Sequence, residues 1–204
     1  MKHGMIEYRT IKQLPVHTQR GLGVHMFTKD QTVFVLVDVQ GKLARIVHDS
    51  EAVIDNLRKL ISCLRILDVP LIWLEQYPEG LGPTVEEVAE QLEGLAPISK
   101  MTFSACKTEA FMNALRATNR EQILIAGIET HICVYQTAAD LKESNYDVQV
   151  VEDAVSSRTL ANNQLGLEKM KALGILGTSV EMAIYELLET ADAEEFKQIL
   201  KIIK

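Results

Sequence analysis

Three side chains with reactive chemistry stand where an apolar stretch gives way to a polar one. Asp38 ends the stretch TVFVLVD, Lys100 lies in ISKMTFSA, and Cys133 lies in AGIETHICVYQTAADL. A thiol is a nucleophile once deprotonated, a carboxylate can accept its proton, and an ammonium can hold that carboxylate ionised. These residue types suit covalent catalysis if the fold brings them together.

Cys133 is predicted to lie in the first turn of a helix, just after a strand. The unpaired N–H groups and partial positive charge of a helix N-terminus lower a thiol pKa and can hold an oxyanion. The position therefore suits a nucleophile. The alternative is a small buried side chain that only packs at the helix start, and position alone leaves both interpretations open.

Asp38 and Lys100 each have two interpretations as well. A carboxylate at the end of a buried strand is partly desolvated, which raises its pKa and suits a proton acceptor. Its alternative role is to cap the turn that follows. Lys100 could hold Asp38 ionised from a nearby pocket, or it could be an ordinary solvated lysine on the surface.

Strands and helices alternate along the chain. Continuous apolar runs such as TVFVLV are typical of parallel strands buried on both faces. The pattern predicts a single α/β domain over residues 31–204, with residues 1–30 as an N-terminal extension or arm. We expect a three-layer, doubly wound, mostly parallel sheet with helices on both faces, which is a Rossmann-like architecture. The predicted strands are 32–38, 69–75, 122–127, 146–153 and 175–178, and the predicted helices are 51–67, 107–118, 130–144, 162–174, 180–188 and 192–203. The stretch EQYPEGLGP is predicted as a loop, and Thr84 with Glu87 has the capping-box pattern of a helix start.

Ligands of such sheets bind outside the carboxyl ends of the strands. This rule points to Asp38, to the segment 75–82 and to the segment 127–133. The chain has no G-x-G-x-x-G after the first strand and no G-x-x-x-x-G-K-[ST], so the main signals for dinucleotide and P-loop sites are missing.

Composition narrows the class of protein. The 204 residues carry a net charge of −7, which disfavours nucleic acid as a partner, although a local basic groove at the strand ends would restore that alternative. The three cysteines form no C-x-x-C pair, which is typical of free thiols in a reducing compartment. Neither a secretory signal nor an apolar run long enough to span a membrane is found. We therefore expect a cytoplasmic protein without a membrane partner.

The three reactive segments together resemble the isochorismatase-like cysteine hydrolases over about residues 30–204. The resemblance rests on VDVQ at 37–40, SKMTFSA at 99–105 and, most specifically, GIETHICVYQTAADL at 127–141. Further motifs, EQYPEGLGPTV, DAVSSR, TSVEMAIYELL and EEFKQILKIIK, are similar to the subgroup of isochorismatase-domain-containing proteins. The resemblance implies the isochorismatase-like hydrolase fold.

The resemblance also assigns roles. It implies a catalytic triad in which Asp38 is the base, Lys100 its electrostatic partner and Cys133 the nucleophile that attacks a carbonyl. It implies a non-proline cis peptide bond between Ile128 and Glu129, which would aim the Glu129 N–H, with that of Cys133, at the oxyanion.

At two places the motifs of this chain differ from those of relatives, and both differences narrow the choice of substrate. Nicotinamidases carry an Asp-x-His metal site after the second strand, whereas this chain has Glu75-Gln76-Tyr77-Pro78 there. A catalytic zinc needs three protein ligands, so we expect no metal and no other cofactor. True isochorismatases lack the nucleophilic cysteine, so Cys133 places the chain with the amidase-like branch.

The expected function is thus cysteine-dependent hydrolysis of a small carbonyl substrate at a C–N bond, through a covalent thioester. We expect Gln40, Tyr77, Phe103 and Thr130 to line the substrate pocket, and the chain to form a homo-oligomer. His131 could flank the pocket or make a structural hydrogen bond, and Arg158 could hold a loop or line a partner surface. The alternative function is a non-catalytic binding or scaffold protein that retains the hydrolase fold.

Overall fold

Six parallel strands form the centre of the molecule, in the spatial order β3-β2-β1-β4-β5-β6. A computed structural model describes residues 26–204. The chain runs outward from β1 to β3 on one side and then returns to place β4 to β6 on the other. The strands are β1 Thr32–Val37, β2 Leu71–Gln76, β3 Ile98–Lys100, β4 Gln122–Ile128, β5 Asp147–Ser156 and β6 Leu176–Thr178.

The helices lie in two groups, one on each face of the sheet. Parallel crossovers are right-handed, so reversing the direction of strand addition moves the connecting helices to the opposite face. Helix α2 packs with α8 and α9, whereas α6 packs with α7. The helices are α1 Gly41–Ile46, α2 Ser50–Ile66, α3 Pro78–Leu81, α4 Glu86–Ala89, α5 Glu109–Ala117, α6 Tyr135–Glu143, α7 Leu160–Ala172, α8 Val180–Leu188 and α9 Phe196–Ile203.

The predicted three-layer, doubly wound α/β fold is confirmed. Strand β1 is buried at every position, as its continuous apolar run predicts for a central parallel strand. Helix α2 buries one stripe, as its 3.6-residue spacing predicts. The buried residues of α2 are Val53, Ile54, Leu57, Leu60, Ile61, Cys63 and Leu64.

Some local features differ from the sequence pattern. Strand β3 has only three residues, and its pairing with β2 defines it. The segment predicted as a loop after β2 contains the one-turn helix α3. Thr84 does not cap α4: its hydroxyl donates to the Glu75 carboxylate and accepts from the Trp73 indole N–H instead.

The predicted arm, residues 1–30, lies largely outside the described residues. Within its described part, Phe27 is buried in the core and its N–H donates to the Glu186 carboxylate on α8. Across residues 26–204, no helix is both long and apolar enough to cross a membrane.

Candidate active site

The carboxyl ends of four neighbouring strands meet at one edge of the sheet. Asp38 follows β1 with a left-handed φ of +52°. Gln76 is the last residue of β2, and Lys100 the last of β3. Cys133 lies in a π-helical turn, Thr130–Val134, that follows β4 and leads into α6. The strand order therefore gathers residues that are far apart in the sequence.

Lys100 and Asp38 form a buried ion pair. The Lys100 Nζ lies 2.6 Å from Asp38 Oδ2, and each residue is only 2% exposed. The same ammonium donates to Gln76 Oε1 at 2.8 Å and approaches the carbonyl oxygens of Thr102 and Phe103 at 3.4 Å. An ammonium has three hydrogens, so these acceptors use its donors fully.

The other carboxylate oxygen of Asp38, Oδ1, differs in its hydrogen bonding. Among the described residues, Oδ1 of Asp38 is the buried side-chain atom that has no hydrogen-bond partner. A buried acceptor without a donor is costly, so its persistence at a cluster of reactive groups points to a functional role. This oxygen is free to receive a proton.

The acid–base properties of the thiol and the carboxylate depend on burial and on each other. Burial first, and then the charge of Asp38, raise the pKa of the Cys133 thiol to about 12, against the opposing effect of the Lys100 ammonium. Burial also raises the pKa of Asp38, against the opposing effects of Lys100 and Cys133. The expectation that the helix start lowers the thiol pKa is therefore wrong for the free protein, because desolvation and a neighbouring carboxylate outweigh it.

Gln76 belongs to this cluster and was missed by the sequence analysis. Its Oε1 accepts from Lys100 and lies 4.0 Å from the sulfur of Cys133. Its Nε2 donates to the carbonyl oxygen of Met101 at 2.9 Å. The strand-end rule covered the segment 75–82 but gave no reason to prefer this amide over its neighbours.

The peptide bond between Ile128 and Glu129 is cis. The Glu129 side chain is 6% exposed, and its Oε1 accepts from both the backbone N–H and the Nε of Arg158, each at 3.0 Å. Of the two roles left open for Arg158, the structure shows an ion pair that holds the loop after β5.

The four expected pocket residues divide into two kinds. Gln40 and Thr130 are fully buried: the Gln40 amide bonds to the backbone of Gln76 and Gly82, and the Thr130 hydroxyl donates to Asn163 at 2.5 Å. By contrast, Tyr77 and Phe103 are 47% and 54% exposed. The carbonyl oxygen of exposed Met101 accepts from Gln76, so these three exposed residues lie close to the buried cluster along the chain.

Two more polar groups have structural partners. His131 Nδ1 lies 2.9 Å from Ser157 Oγ, which joins the π-helical turn to the loop after β5. The carboxylate of Glu75 accepts from the N–H and the hydroxyl of Thr84 at 2.7 and 2.8 Å. Within residues 26–204, no three His, Cys, Asp or Glu side chains are grouped closely enough to hold a metal ion.

Solved structures share this fold. The MAR1 ribonuclease of Caenorhabditis elegans superimposes with a TM-score of 0.83 and is 34% identical, over 88% of this chain and 92% of that one. YcaC from Pseudomonas aeruginosa, solved with hexane-2,5-diol and covalent acrylamide, has a TM-score of 0.81 and is 27% identical, over 87% of this chain and 91% of that one.

Sequence relatives span nearly the whole described chain. The secreted isochorismatase effector Isc1 of Phytophthora sojae is 38% identical over 85% of this chain and 84% of its own length. Isochorismatase domain-containing protein 2 of Danio rerio is 34% identical over 89% of this chain and 91% of its own length. A sequence profile of the isochorismatase domain matches residues 32–182. The chain therefore belongs to the isochorismatase family, as its motifs predicted, and its family supports a hydrolase.

Proposed function

We propose that this protein is a cysteine hydrolase that cleaves a C–N bond of a small carbonyl substrate. One observation carries the proposal: the buried Asp38 carboxylate has one oxygen held by Lys100 and the other without a partner, next to the thiol of Cys133. A base with a free oxygen and a fixed counter-ion is suited to accept a thiol proton.

In the first step, the sulfur of Cys133 attacks the carbonyl carbon while Asp38 accepts the thiol proton. The thiol pKa is high in the free protein, so proton transfer accompanies attack and no resting thiolate is needed. The electron pair of the carbonyl bond moves to its oxygen. The backbone N–H groups of Glu129 and Cys133 hold the oxyanion that forms.

In the second step, the oxyanion reforms the carbonyl and the C–N bond breaks. The proton held by Asp38 goes to the leaving nitrogen, which departs as a neutral amine or ammonia. A thioester on Cys133 remains. Asp38 then accepts a proton from water as the water oxygen attacks the thioester. The C–S bond breaks, the carboxylic acid leaves, and the proton on Asp38 returns to sulfur, so the enzyme is regenerated. All groups in this scheme belong to the chain, and no cofactor takes part.

The comparisons agree with a small molecule that reacts with a nucleophile of the protein. YcaC of Pseudomonas aeruginosa was solved with covalent acrylamide, which carries an amide. The relative from Caenorhabditis elegans is called a ribonuclease, but the net charge of −7 opposes RNA as the substrate of this chain. We therefore propose a small molecule as the substrate. We also propose the cytoplasm as the compartment.

A binding or scaffold role is the second candidate. The raised pKa of Cys133 favours it, since a protonated thiol is a poor nucleophile. Large apolar side chains exposed on and after α7 would suit contacts between copies of the chain. These are Leu160, Leu165, Leu173 and Leu176. We propose a homo-oligomer in either case, which light scattering of the purified protein would test.

The deciding experiment is a hydrolysis screen across small amides, ureas, hydroxamates and an RNA oligonucleotide. The wild type is compared with Cys133→Ala and with the control Cys106→Ala, which removes another free, half-buried thiol. We expect release of amine that is lost only in Cys133→Ala, and an acyl adduct at Cys133 by peptide mass spectrometry. A Cys133→Ala variant that hydrolyses the substrate normally would refute the mechanism.

A further inference from the structure

Gln76 places an amide between the two charged groups and the thiol. Its Oε1 faces the Lys100 ammonium at 2.8 Å and the Cys133 sulfur at 4.0 Å. The amide orientation is determined by its surroundings, because Nε2 donates to the Met101 carbonyl oxygen. Rotating the amide by 180° would set an NH₂ group against an ammonium and leave the carbonyl of Met101 facing an oxygen.

The backbone of Gln76 is fixed as well as its side chain. Its N–H donates to Gln40 Oε1 at 2.7 Å, and its carbonyl oxygen accepts from Gln40 Nε2 at 3.1 Å. The buried amide of Gln40 therefore pairs with both polar groups of one residue. Such double pairing holds the last residue of β2 in place and limits the freedom of the side chain that follows from it.

Gln76 Oε1 and Asp38 Oδ2 accept hydrogen bonds from the same Lys100 ammonium. The ammonium makes short contacts with Asp38 Oδ2 and Gln76 Oε1, whereas its contacts with backbone carbonyl oxygens are 3.4 Å long. An ammonium rotates freely on its stem and gives no directional specificity by itself. A second short acceptor is what keeps Lys100 on one oxygen of Asp38 and leaves Oδ1 free.

We propose that Gln76 is a positioning residue of the catalytic cluster: it holds Lys100 onto Asp38 Oδ2 and keeps an uncharged oxygen beside the sulfur of Cys133. An amide oxygen is too weak a base to remove the thiol proton, so Asp38 alone performs that step. The role of Gln76 in catalysis rests on the proposed function. Its effect on the reactivity of the Cys133 thiol does not. The charged groups around this sulfur are Asp38 and Lys100, with Glu75 acting on Asp38 from β2.

Two substitutions of similar size separate this role from simple packing. Gln76→Glu adds a negative charge beside the sulfur, so the thiolate forms less readily. Gln76→Met removes the oxygen and frees an N–H of Lys100 to turn toward the sulfur, so the thiolate forms more readily. A residue that only fills space would not move thiol reactivity in opposite directions.

The readout is the rate of alkylation of Cys133 by iodoacetamide at fixed pH, followed by peptide mass spectrometry because Cys63 and Cys106 are also free. We expect Gln76→Glu to react about tenfold more slowly than wild type, and Gln76→Met to react several-fold faster. The control is Gln91→Glu, since Gln91 Oε1 also accepts a hydrogen bond, from Ser62 at 2.7 Å, in another part of the fold. If Gln76→Met does not fold, Gln76→Asn replaces it, with the same expected direction.

Rates that change in the same direction, or that stay within twofold of wild type in both variants, would overturn the proposal. Alkylation needs no substrate, so this result is independent of whether the protein is a hydrolase. If Cys133→Ala hydrolyses normally but the two Gln76 variants diverge, the proposed function fails and the positioning role stands. Where a substrate is found, both variants should lower kcat.

Discussion

Lys100 Nζ lies 2.6 Å from Asp38 Oδ2, and the two side chains come from strands that are separated by β2 in the sheet. The pair is buried, so it is only weakly screened by salt. One oxygen of the carboxylate is thereby neutralised while the other stays available.

Replacing Asp38 should separate thiol reactivity from catalysis. The charge of Asp38 raises the pKa of Cys133, so Asp38→Asn lowers that pKa and speeds iodoacetamide alkylation about tenfold at pH 8. Hydrolysis should fall by about 10² to 10⁴, because the general base is gone. Faster alkylation together with unchanged hydrolysis would show that Asp38 is not the base.

Replacing Lys100 should move the pH dependence of hydrolysis. Lys100 favours the ionised form of Asp38 and so lowers its pKa against the effect of burial. In Lys100→Met, Asp38 stays protonated to higher pH, and the acid limb of kcat/KM therefore shifts upward. The measurement is a pH profile beside Lys107→Met, which replaces an exposed lysine. An acid limb at the wild-type position would count against the assigned partnership.

Gly127 is required where β4 passes β1. Its φ is +119°, and a Cβ there would lie 2.1 Å from the carbonyl oxygen of Val37. Gly127→Ala should lower the free energy of unfolding by at least about 3 kcal/mol, measured by urea denaturation. The matched control is Gly174→Ala, with φ of +75° and no atom within 4 Å of the new methyl group, which should cost only about 1 kcal/mol. Equal losses in both variants would mean that conformation alone, and not the close contact, requires Gly127.

Arg158 should affect catalysis through Glu129. Arg158→Ala removes the guanidinium that pairs with a nearly buried carboxylate four residues before the nucleophile. We expect a several-fold loss of kcat, because the N–H of Glu129 is assigned to the oxyanion, with a loss of stability of about 1 kcal/mol. Arg45→Ala, which breaks the exposed pair with Glu87, serves as the comparison and should leave kcat unchanged.

Much of the fold follows from patterns that need no tertiary information. The unbroken apolar run of β1 and the single stripe of α2 each have one stable place in an α/β sandwich. Strand β3 could not be found this way: three residues show no period, and they are a strand because β2 lies beside them. Thr84 similarly has a helix-capping pattern but bonds to Glu75, a partner nine residues away.

The site was accessible to sequence reasoning only in part. Strand ends pointed to Asp38 and to the segment that holds Cys133, and motif resemblance favoured a site role for Lys100 over that of an ordinary surface lysine. The direction in which the pKa of the thiol shifts could not be predicted from the sequence, because it depends on how deeply Cys133 is buried and how close Asp38 comes to it. Gln76 was missed for the same reason: an amide gains its importance from the groups around it.

The reacting groups stand at strand ends or, for Cys133, in the turn that follows one, whereas the apolar residues beside them stand on connections. Gln40 ties the first part of the β2–β3 connection to the sheet by hydrogen bonds to Gln76 and Gly82. Substitutions at the exposed residues Tyr77, Met101 and Phe103 can therefore change the choice of substrate, while the groups that perform the chemistry of the thiol stay the same.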